Sequence, residues 1–564
     1  MRLLSAKFNN YRNCGDLEVC FDSTLSFIVG ENNIGKTNLI NGLTHVLACR
    51  PFSKEDFFDD ENAIKISFQL SLSDDEIGIF DDLIDPTTGN SIKIDAIQLN
   101  SDEYITYTHS ETGESIPPHV IKQTNIISYD SLRTPKNELS FSKSKGAGAF
   151  LNRVLLEYVN GQEESFNYSP ELTTALSKSL NDTLEKLVSF NRFNLNAAIE
   201  SNTIDLLSKV VSIKDENNIS ISETGYGVQF SLLIILSLLE KISDYSKKKP
   251  AFSKDFSTIL VFDEPEIHLH PFLQRTLIND LVKIAEGKDE GFNHVIKHYF
   301  GIEQMEAQII IATHSPNMLT DDYQRIVRLY RQDGTLTASS GANLSMSQQE
   351  TKHLMKQFEY IKESVYARAA IVVEGDSEYG CIEKFAQSME LSFDSLGITV
   401  IKADGAESIP PIMSLFDKLG IHAVGIIDND KKIEKNIPDA ENLFCTVTKC
   451  FDSEIVEAVF NNGNLKVLDS IINMWDSRST NRRFQKTKVN KIIKTYGFEH
   501  EDLQVDCSIN ESNETLLKQI LYVTWFDINK GISVGKLIGE ILPVDMIPEC
   551  YKRAIIKAKE CSEL

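Results

Sequence analysis

One short stretch restricts the fold of this chain more than any other feature. Residues 27–40 read FIVGENNIGKTNLI and contain the spacing G-x-x-x-x-G-K-T. The apolar run Leu25–Val29 before the loop is typical of a β-strand, and a helical pattern follows from Thr37. A phosphate-binding loop requires this strand–loop–helix context. The stretch therefore predicts an α/β fold that binds a nucleotide at the tip of a strand.

The side chains of this loop indicate how it would bind ATP and a metal ion. Gly30 and Gly35 allow backbone N–H groups to close around phosphate oxygens. Lys36 is expected to reach the outer phosphates, and the Thr37 hydroxyl is expected to bind Mg²⁺. The predicted nucleotide-binding residues of the loop are Gly30, Asn32, Asn33, Gly35, Lys36, Thr37 and Asn38.

Two further apolar runs end in residues suited to nucleotide hydrolysis. The run Ile259–Phe262 leads into Asp263 and Glu264. Asp263 is expected to hold the Mg²⁺ shell, and Glu264 to orient or deprotonate the attacking water. The run 307–313 leads into His314. Because ligands of such sheets bind at the carboxyl ends of the strands, His314 is predicted to sense the γ-phosphate.

The second half of the chain repeats the pattern of an apolar strand followed by acids. AAIVVEGDSEYG ends a strand at Glu374 and places Glu378 in the first turn of a helix. HAVGIIDNDKK ends in Asp428 and Asp430, which an extended chain would point to the same side. Repeated strand–helix alternation predicts a parallel sheet. These acids are therefore expected to gather at one edge of that sheet.

Several carboxylates in a small space point to divalent cations. Like charges repel strongly unless cations neutralise them. Oxygen ligands favour Mg²⁺ or Mn²⁺ over zinc. Two such ions about 4 Å apart stabilise the attacking and leaving oxygens of a phosphodiester displacement. The alternative is a set of ordinary strand-end acids that cap helices.

The motifs resemble known families. GENNIGKT, VFDEPEIHLHP and IIATHSP are similar to the ABC-type ATPase heads of the SMC, RecF and OLD (overcoming lysogenization defect) proteins. VVEGDSE followed by IIDND resembles the Toprim domain of topoisomerases, primases and OLD nucleases. An ABC head followed by Toprim is the arrangement of the OLD family, which includes the nuclease subunit of the Gabija defence system and retron-associated effectors.

The OLD resemblance implies cofactors and further site residues. In this group two heads sandwich ATP, and each supplies a glycine-rich signature to the other's nucleotide. SETGYGVQF is the local match, with Gly225, Gly227 and Gln229. The resemblance implies ATP and Mg²⁺ (or Mn²⁺), with metal ions at both the ATPase and the Toprim site. The implied metal ligands are Thr37, Asp263, Glu374, Glu378, Asp428, Asp430 and Glu454.

Three assignments remain open between alternatives. In CFDSEIVEAVF the resemblance favours Glu454, while Asp452 and Glu457 compete because the register is ambiguous. A family lysine matches Lys536, where it would stabilise transition-state charge, and an exposed helix lysine is the alternative. Arg133 either touches phosphate or DNA, or forms a surface salt bridge.

The elements between the motifs give the predicted domain organisation. Ile64–His109 reads as short strands, and 146–211 as amphipathic helices, which in this group commonly form a dimer arm. The predicted class is α/β: an ABC-type ATPase head with an inserted helical dimerisation segment, a Toprim parallel sheet and a helical C-terminal region. The predicted bounds are 1–145 and 213–360 for the ATPase, 146–212 for the insert, 361–462 for Toprim and 463–564 for the helical region that completes the nuclease.

Composition and charge narrow the functional classes. The nine cysteines contain no Cys-x-x-Cys pair, which disfavours zinc and disulfide frameworks. No apolar stretch reaches the ~20 residues of a membrane helix, and the N-terminus lacks signal-peptide features, so we expect a cytoplasmic protein. The net charge of −25 argues against a generic nucleic-acid coat. Residues 478–494 nevertheless hold seven Lys/Arg and no acid, which fits either a solvated helix face or a nucleic-acid contact.

The leading hypothesis is an ATP-regulated, divalent-metal-dependent DNA endonuclease or nickase of the OLD type, an effector of anti-phage defence. Its expected partners are a DNA substrate, further copies of itself in a homodimer or higher even-numbered oligomer, and a defence-system helicase or reverse transcriptase with its nucleic acid. The alternative is an ATP-gated nucleic-acid-binding sensor or switch without nuclease activity. A topoisomerase or primase is disfavoured because no zinc-ribbon cysteines accompany the Toprim motifs.

Overall fold

The protein forms two compact units. A computed structural model describes residues 1–73, 76–80, 90–129, 150, 170–199, 211–223, 225–246, 255–267, 269–476 and 479–563. The two units are Met1–Asn343 and Leu344–Leu564. Arg133 and most of the segment 146–212, predicted to be a helical dimerisation insert, lie outside the described residues.

The first unit contains thirteen strands in its described part. The strands are β1 (Arg2–Tyr11), β2 (Cys14–Cys20), β3 (Leu25–Gly30), β4 (Ile64–Ser71), β5 (Ser91–Gln98), β6 (Thr106–His109), β7 (Ile126–Tyr129), β8 (Asn196–Ile199), β9 (Val211–Lys214), β10 (Phe256–Asp263), β11 (Met305–Ala312), β12 (Ile326–Gln332) and β13 (Thr335–Ser340). The α-helices are α1 (Lys36–Leu47), α2 (Pro118–Ile121), α3 (Pro170–Leu184), α4 (Val188–Arg192), α5 (Tyr226–Ser246), α6 (Pro271–Ala285) and α7 (Glu290–Phe300).

A six-stranded sheet positions the nucleotide motifs. Its strand order is β13-β12-β3-β11-β10-β7, and every neighbouring pair except β12/β13 is parallel. All six residues of β3 are buried, as expected for an apolar strand covered on both faces. Because β3, β11 and β10 are adjacent and parallel, the residues after all three strands lie at one edge of the sheet.

A second sheet of the first unit is antiparallel, with the order β2-β1-β4-β5-β6. Burial alternates strictly along β4, which is the pattern of a strand with one face on the core. The short strands predicted over Ile64–His109 are confirmed. The expectation of helices throughout 146–211 is wrong for its last described part, where β8 and β9 pair in an antiparallel hairpin.

The second unit begins with two helices and then alternates strands and helices. Its strands are β14 (Ala369–Val373), β15 (Ile398–Lys402), β16 (His422–Ile427) and β17 (Leu443–Cys445). Its α-helices are α8 (Gln348–Lys356), α9 (Phe358–Ser364), α10 (Asp376–Ser388), α11 (Phe393–Leu396), α12 (Ile409–Lys418), α13 (Asn429–Glu434), α14 (Phe451–Asn462), α15 (Lys466–Trp475), α16 (Lys486–Tyr496), α17 (Thr515–Ile528), α18 (Ile532–Ile541) and α19 (Glu549–Ser562).

The four strands of the second unit form one parallel sheet in the order β15-β14-β16-β17. Every residue of β14 is buried, and α19 packs on both β14 and β16. Helices α8 and α9 pack on α12 and β15, so the division between the units falls ahead of residue 361, the predicted start of the second domain. The predicted α/β class, with a parallel sheet followed by a helical C-terminal region, is confirmed.

Helices α10 and α18 approach each other closely through glycines. A Cβ atom on Gly535 would lie 2.1 Å from the carbonyl oxygen of Ser377, and one on Gly380 would lie 2.3 Å from that of Ile532. Glycine is therefore required at this crossing, and it fixes α18 against the helix that carries Glu378. Within the described ranges, no helix has the length and apolar character needed to cross a membrane.

Candidate functional site

Two sites emerge, one in each unit. In the first unit, the ends of β3, β10 and β11 bring four predicted residues together. The Thr37 hydroxyl donates to Asp263 Oδ1 over 3.2 Å. His314 Nε2 lies 3.2 Å from Glu264 Oε1. Thr37 and Asp263, both expected to bind Mg²⁺, are thus in contact. His314, the predicted γ-phosphate sensor, lies beside Glu264, which is expected to activate water.

Lys36 is buried within the phosphate-binding loop. Its Nζ donates to the carbonyl oxygens of Gly30 at 2.8 Å and Glu31 at 2.7 Å. Burial lowers the pKa of Lys36 to about 8, although Glu264 and Asp263 oppose this shift. The ammonium group thus lies where phosphate oxygens, which are strong acceptors, would stabilise its charged form.

The loop requires both of its glycines. Gly30 has a φ of 141°, and a Cβ there would lie 2.4 Å from the carbonyl oxygen of Leu329. Gly35 has a φ of 122°, and a Cβ there would lie 2.6 Å from Asn13 Nδ2. The exposed Asn32 and Asn33 lie between them. The backbone of the loop is therefore free to approach a phosphate closely.

Glu264 adopts a left-handed backbone conformation, with a φ of 49°. Its backbone N–H donates to the carbonyl oxygen of Ala312 at 2.9 Å, which ties the end of β10 to that of β11. Non-glycine residues held in this region carry strain that tends to occur at functional sites. The residue in this conformation is the one whose carboxylate lies beside His314.

Sequence reasoning missed two residues beside this site. Glu266 Oε1 accepts from the Thr313 hydroxyl at 2.8 Å and from the His314 backbone N–H at 2.6 Å. Arg12 donates to Asn38 Oδ1 at 2.7 Å, far from the loop in sequence. Glu266 was detectable as the last acid of DEPE, whereas no spacing pointed to Arg12.

Gly225, Gly227 and Gln229 lie at the start of α5, as expected of a signature followed by a helix. Gly225 is exposed, while Gly227 and Gln229 are buried. Their role opposite a second nucleotide remains a prediction.

In the second unit, the ends of β14 and β16 bring Glu374 and Asp428 together. The Asp428 backbone N–H donates to Glu374 Oε2 at 3.3 Å, and Asp428 Oδ1 accepts from the Phe451 backbone N–H at 2.8 Å. The expectation of an extended Asp428-x-Asp430 geometry is wrong. The strand ends at Ile427, and Asp430 lies in the first turn of α13.

Four carboxyl groups near this edge have raised pKa values, chiefly because they are buried. The pKa of Glu374 is raised by burial and by Asp430. Burial, Asp452 and Glu374 raise the pKa of Glu378, which is 7% exposed. Burial and the charges of Glu378 and Glu374 raise the pKa of Asp428. Burial also raises the pKa of Asp452, against the pull of Lys530. We call Glu374, Glu378, Asp428, Asp430 and Asp452 the acidic cluster.

The chemistry of the cluster suits a divalent cation, but its side chains are not arranged as ligands. Among the described residues, no group of three or more His, Cys, Asp or Glu side chains is placed to hold a metal ion. Asp430 Oδ1 is nevertheless buried, and it accepts no hydrogen bond from any residue that the structure describes. An oxygen-only set of mutually repelling carboxylates fits Mg²⁺ or Mn²⁺ in donor type and charge.

The roles predicted for Glu454 and Lys536 remain predictions. Glu454 Oε2 accepts from the Thr448 backbone N–H at 2.7 Å, so this carboxylate already holds a turn. Lys530 Nζ lies 2.9 Å from Asp452 Oδ2, whereas Lys536 is exposed on α18. Glu457 is half-buried. No spacing in the sequence pointed to Lys530, which lies six positions before Lys536.

Lys530 also bridges a second acid. Its Nζ lies 3.2 Å from Asp527 Oδ1. Burial alone would lower the pKa of Lys530, but Asp452 outweighs it and raises that pKa. The cation therefore remains charged beside the cluster at physiological pH.

The fold and these two sites define an ATPase joined to a parallel-sheet domain with an acidic cluster. Residues 157–319 match the family described as AAA ATPase domain, and residues 365–430 match the TOPRIM domain of the family described as overcoming lysogenization defect protein-like. The chain thus combines an AAA ATPase domain with an OLD-like TOPRIM domain. These domains imply the use of a nucleotide and of divalent metal.

The particular relatives are nucleases, and the predicted OLD resemblance is confirmed. The chain is 23% identical over 439 residues to Endonuclease GajA from Bacillus cereus, covering 69% of this chain and 60% of that protein. It is 22% identical over 522 residues to Old nuclease from Escherichia phage P2, covering 83% of each chain. It is also 22% identical over 466 residues to OLD nuclease from Thermus scotoductus, covering 75% of this chain and 80% of that protein. The chain is homologous to these proteins, and its match spans less than two thirds of the Bacillus cereus relative.

Proposed function

We propose that this protein is an ATP-regulated, divalent-metal-dependent DNA endonuclease or nickase. The observation that carries the proposal is the contact between Asp428 and Glu374 at the ends of adjacent parallel strands, among further buried acids. Buried carboxylates without counter-charges are costly, and bound cations offset that cost. Three homologues named as nucleases support the same conclusion.

The residues of the acidic cluster would hold Mg²⁺ or Mn²⁺. The proposed ligands are Glu374, Glu378, Asp428, Asp430 and one acid of α14. We favour Asp452 over Glu454 because its charge acts on Glu378 and Asp428, whereas Glu454 is hydrogen-bonded elsewhere. When bound, such ions stabilise negative charge on the oxygens of the phosphodiester.

The protein's own groups would orient the substrate and stabilise charge. Lys530 forms an ion pair with Asp452 of the cluster, so it is our candidate for stabilising developing charge on a phosphate oxygen. Lys536, the lysine matched by family resemblance, remains a weaker candidate because it is exposed. Comparing methionine substitutions at the two positions separates these roles.

ATP would regulate this activity through the first unit. Lys36 would hold the phosphates, Thr37 and Asp263 the metal ion, and Glu264 with His314 the attacking water. Gly225, Gly227 and Gln229 would contact the nucleotide of a second copy, which implies a homodimer or a higher even-numbered oligomer. We place this effector in the cytoplasm and in anti-phage defence, with a helicase or a reverse transcriptase as candidate partner.

Cleavage assays test the nuclease directly. Purified protein is incubated with supercoiled and linear DNA, with Mg²⁺ or Mn²⁺, and with or without ATP. We expect nicked or linear product from the wild type and none from Asp428→Asn. Asp439→Asn is the matched control, since Asp439 is an exposed acid of the same unit. Cleavage by Asp428→Asn at the wild-type rate would contradict the proposal.

The absence of a preformed ligand set among the described residues favours a second candidate, an ATP-gated DNA-binding switch. In that case DNA binding would depend on Lys36 and nucleotide, and no metal would produce cleavage. The same assay separates the two functions, because only the nuclease yields product that disappears in Asp428→Asn while DNA binding persists.

A further inference from the structure

In the described part of the basic stretch, residues 479–494, the cations fall into two classes. Helix α16 buries Val489, Ile492 and Ile493 against the rest of the second unit and turns its lysines outward. A bridge between Phe484 and Cys507 brings the acidic segment that follows α16 back alongside it. The charge reversal seen in the sequence is therefore partly compensated in the fold.

Three of these cations have partners. Arg483 lies 3.2 Å from Glu511, and Lys494 lies 3.0 Å from Asp502. Lys486 Nζ donates to the carbonyl oxygen of Gln504 at 3.1 Å. We call Arg483, Lys486 and Lys494 the paired cations.

The other three described cations have no partner. Arg482, Lys488 and Lys491 are exposed, and no hydrogen bond or ion pair engages their side chains within the described residues. Lys488 and Lys491 are three positions apart on α16, so they share one side of the helix. We call Arg482, Lys488 and Lys491 the unpaired cations. In a chain with a net charge of −25, they leave a local site for an anion.

An exposed aromatic ring accompanies them. Trp475, at the end of α15, is 46% exposed. The Thr480 hydroxyl donates to Asn473 Oδ1 at 3.4 Å, which holds the residues just before Arg482 against the end of α15. An exposed indole at the end of α15 and unpaired cations on the segment that follows form a combination suited to single-stranded nucleic acids, since every base offers a face for stacking.

The same helix ends beside the acidic cluster. Lys449 Nζ donates to the carbonyl oxygen of Thr495 at 2.8 Å, and the carbonyl oxygen of Lys449 accepts from the Asp430 backbone N–H at 3.0 Å. The Tyr496 hydroxyl donates to Asp527 Oδ1, which also pairs with Lys530. A strand of DNA bound along α16 would therefore run towards the acidic cluster.

We propose that Trp475, Arg482, Lys488 and Lys491 form the surface that holds single-stranded DNA beside the acidic cluster. The inference rests on the proposed function and names the substrate-holding surface of that site. The three cations contact phosphates and offset the repulsion between the DNA and the buried acids. The indole stacks on one unpaired base, so single-stranded DNA binds more tightly than a duplex.

Tryptophan fluorescence tests this proposal with the full-length protein. The chain has two tryptophans, and Trp525 is only 2% exposed, so quenching by an added oligothymidylate reports Trp475. Titrations are run in EDTA, which separates binding from cleavage, at several salt concentrations. We expect the wild type to be quenched and Trp475→Phe to show no quenching and at least threefold weaker binding by anisotropy.

Two triple variants with the same charge change provide the matched comparison. Replacing the unpaired cations by alanine is expected to weaken binding at least tenfold and to reduce the slope of log affinity against log salt by about 2, since each phosphate contact contributes roughly 0.7. Replacing the paired cations by alanine is expected to change affinity less than threefold. Circular dichroism melts verify that both variants are folded.

Equal weakening by the two triple variants would overturn the proposal, because net charge alone would then explain binding. Wild-type affinity in the variant without unpaired cations would overturn it too. If the wild type cleaves DNA and the variant without unpaired cations binds and cleaves it normally, the proposed binding surface is wrong while the proposed nuclease activity is supported. If the variant without unpaired cations loses DNA binding but the wild type does not cleave DNA with any metal tested, the binding surface is supported and the proposed nuclease activity is wrong.

Discussion

At the scale of single residues, buried like charge distinguishes the acidic cluster. Glu378 and Asp452 are 7% and 2% exposed, and the charge of Lys530 lowers the pKa of both against the effect of burial. Such a group is costly in the folded state without further cations. Stability should therefore report on the cluster independently of catalysis.

The pH dependence of stability follows from the raised pKa values. In metal-free protein, Glu378 and Asp428 retain protons that the unfolded chain has released above about pH 4. The free energy of unfolding therefore falls as pH rises from about 4 through neutrality. Urea denaturation in EDTA should show that the free energy of unfolding of Asp428→Asn falls less steeply with pH. The same dependence on pH in the variant and the wild type would contradict a raised pKa of Asp428.

Removing the lysine beside the cluster should expose the cost of the buried acid. Lys530→Met leaves Asp452 without its ion pair, and breaking a fully buried pair costs about 3–5 kcal/mol. Because Lys530 is 48% exposed, water screens the loss, and we expect about 1–2 kcal/mol in denaturant melts without metal. Lys494→Met breaks the exposed pair with Asp502 and should leave the free energy of unfolding nearly unchanged.

At the scale of elements, close helix packing holds the site together. Alanine in place of glycine normally stabilises a helix by up to about 1 kcal/mol. Gly535→Ala should instead destabilise by about 1–3 kcal/mol, because the new Cβ meets backbone at 2.1 Å. Ser533→Ala, at an exposed position of α18, is the control and should change the free energy of unfolding by less than about 0.5 kcal/mol. A neutral Gly535→Ala would mean that α10 and α18 are separable.

The elements themselves were largely predictable, and the side-chain partners were not. Strands β3, β10 and β14 were predictable from apolar runs followed by a Gly-Lys-Thr loop, by Asp-Glu or by Glu-Gly. These signals lie within a few consecutive residues, so they can be read from the sequence. Lys530 was missed because its partner Asp452 is 78 positions away, and only the packing of α14 and α17 brings them together. The conformation at Asp430 was mispredicted because helix α13 already begins at Asn429, so the chain is helical and not extended between the two aspartates.

At the scale of the whole molecule, a nucleotide-binding unit and an acidic unit occur in one chain. If Glu264 activates the attacking water, Glu264→Gln should retain bound ATP and hydrolyse it at least tenfold more slowly, because the substituted side chain is neutral. Lys36→Ala should lose nucleotide binding altogether, since it lacks the loop ammonium. Filter binding of labelled ATP and phosphate release measure both. Normal hydrolysis by Glu264→Gln would remove the assigned base.

Metal binding tests the central claim most directly. Mn²⁺ is titrated into nucleotide-free protein, and bound ions are counted by electron paramagnetic resonance for the wild type, Asp428→Asn and Asp439→Asn. We predict that the wild type and Asp439→Asn bind one or two ions with equal affinity, and that Asp428→Asn binds at least tenfold more weakly. Equal binding by all three proteins, or no binding by any, would contradict a cation site in the acidic cluster.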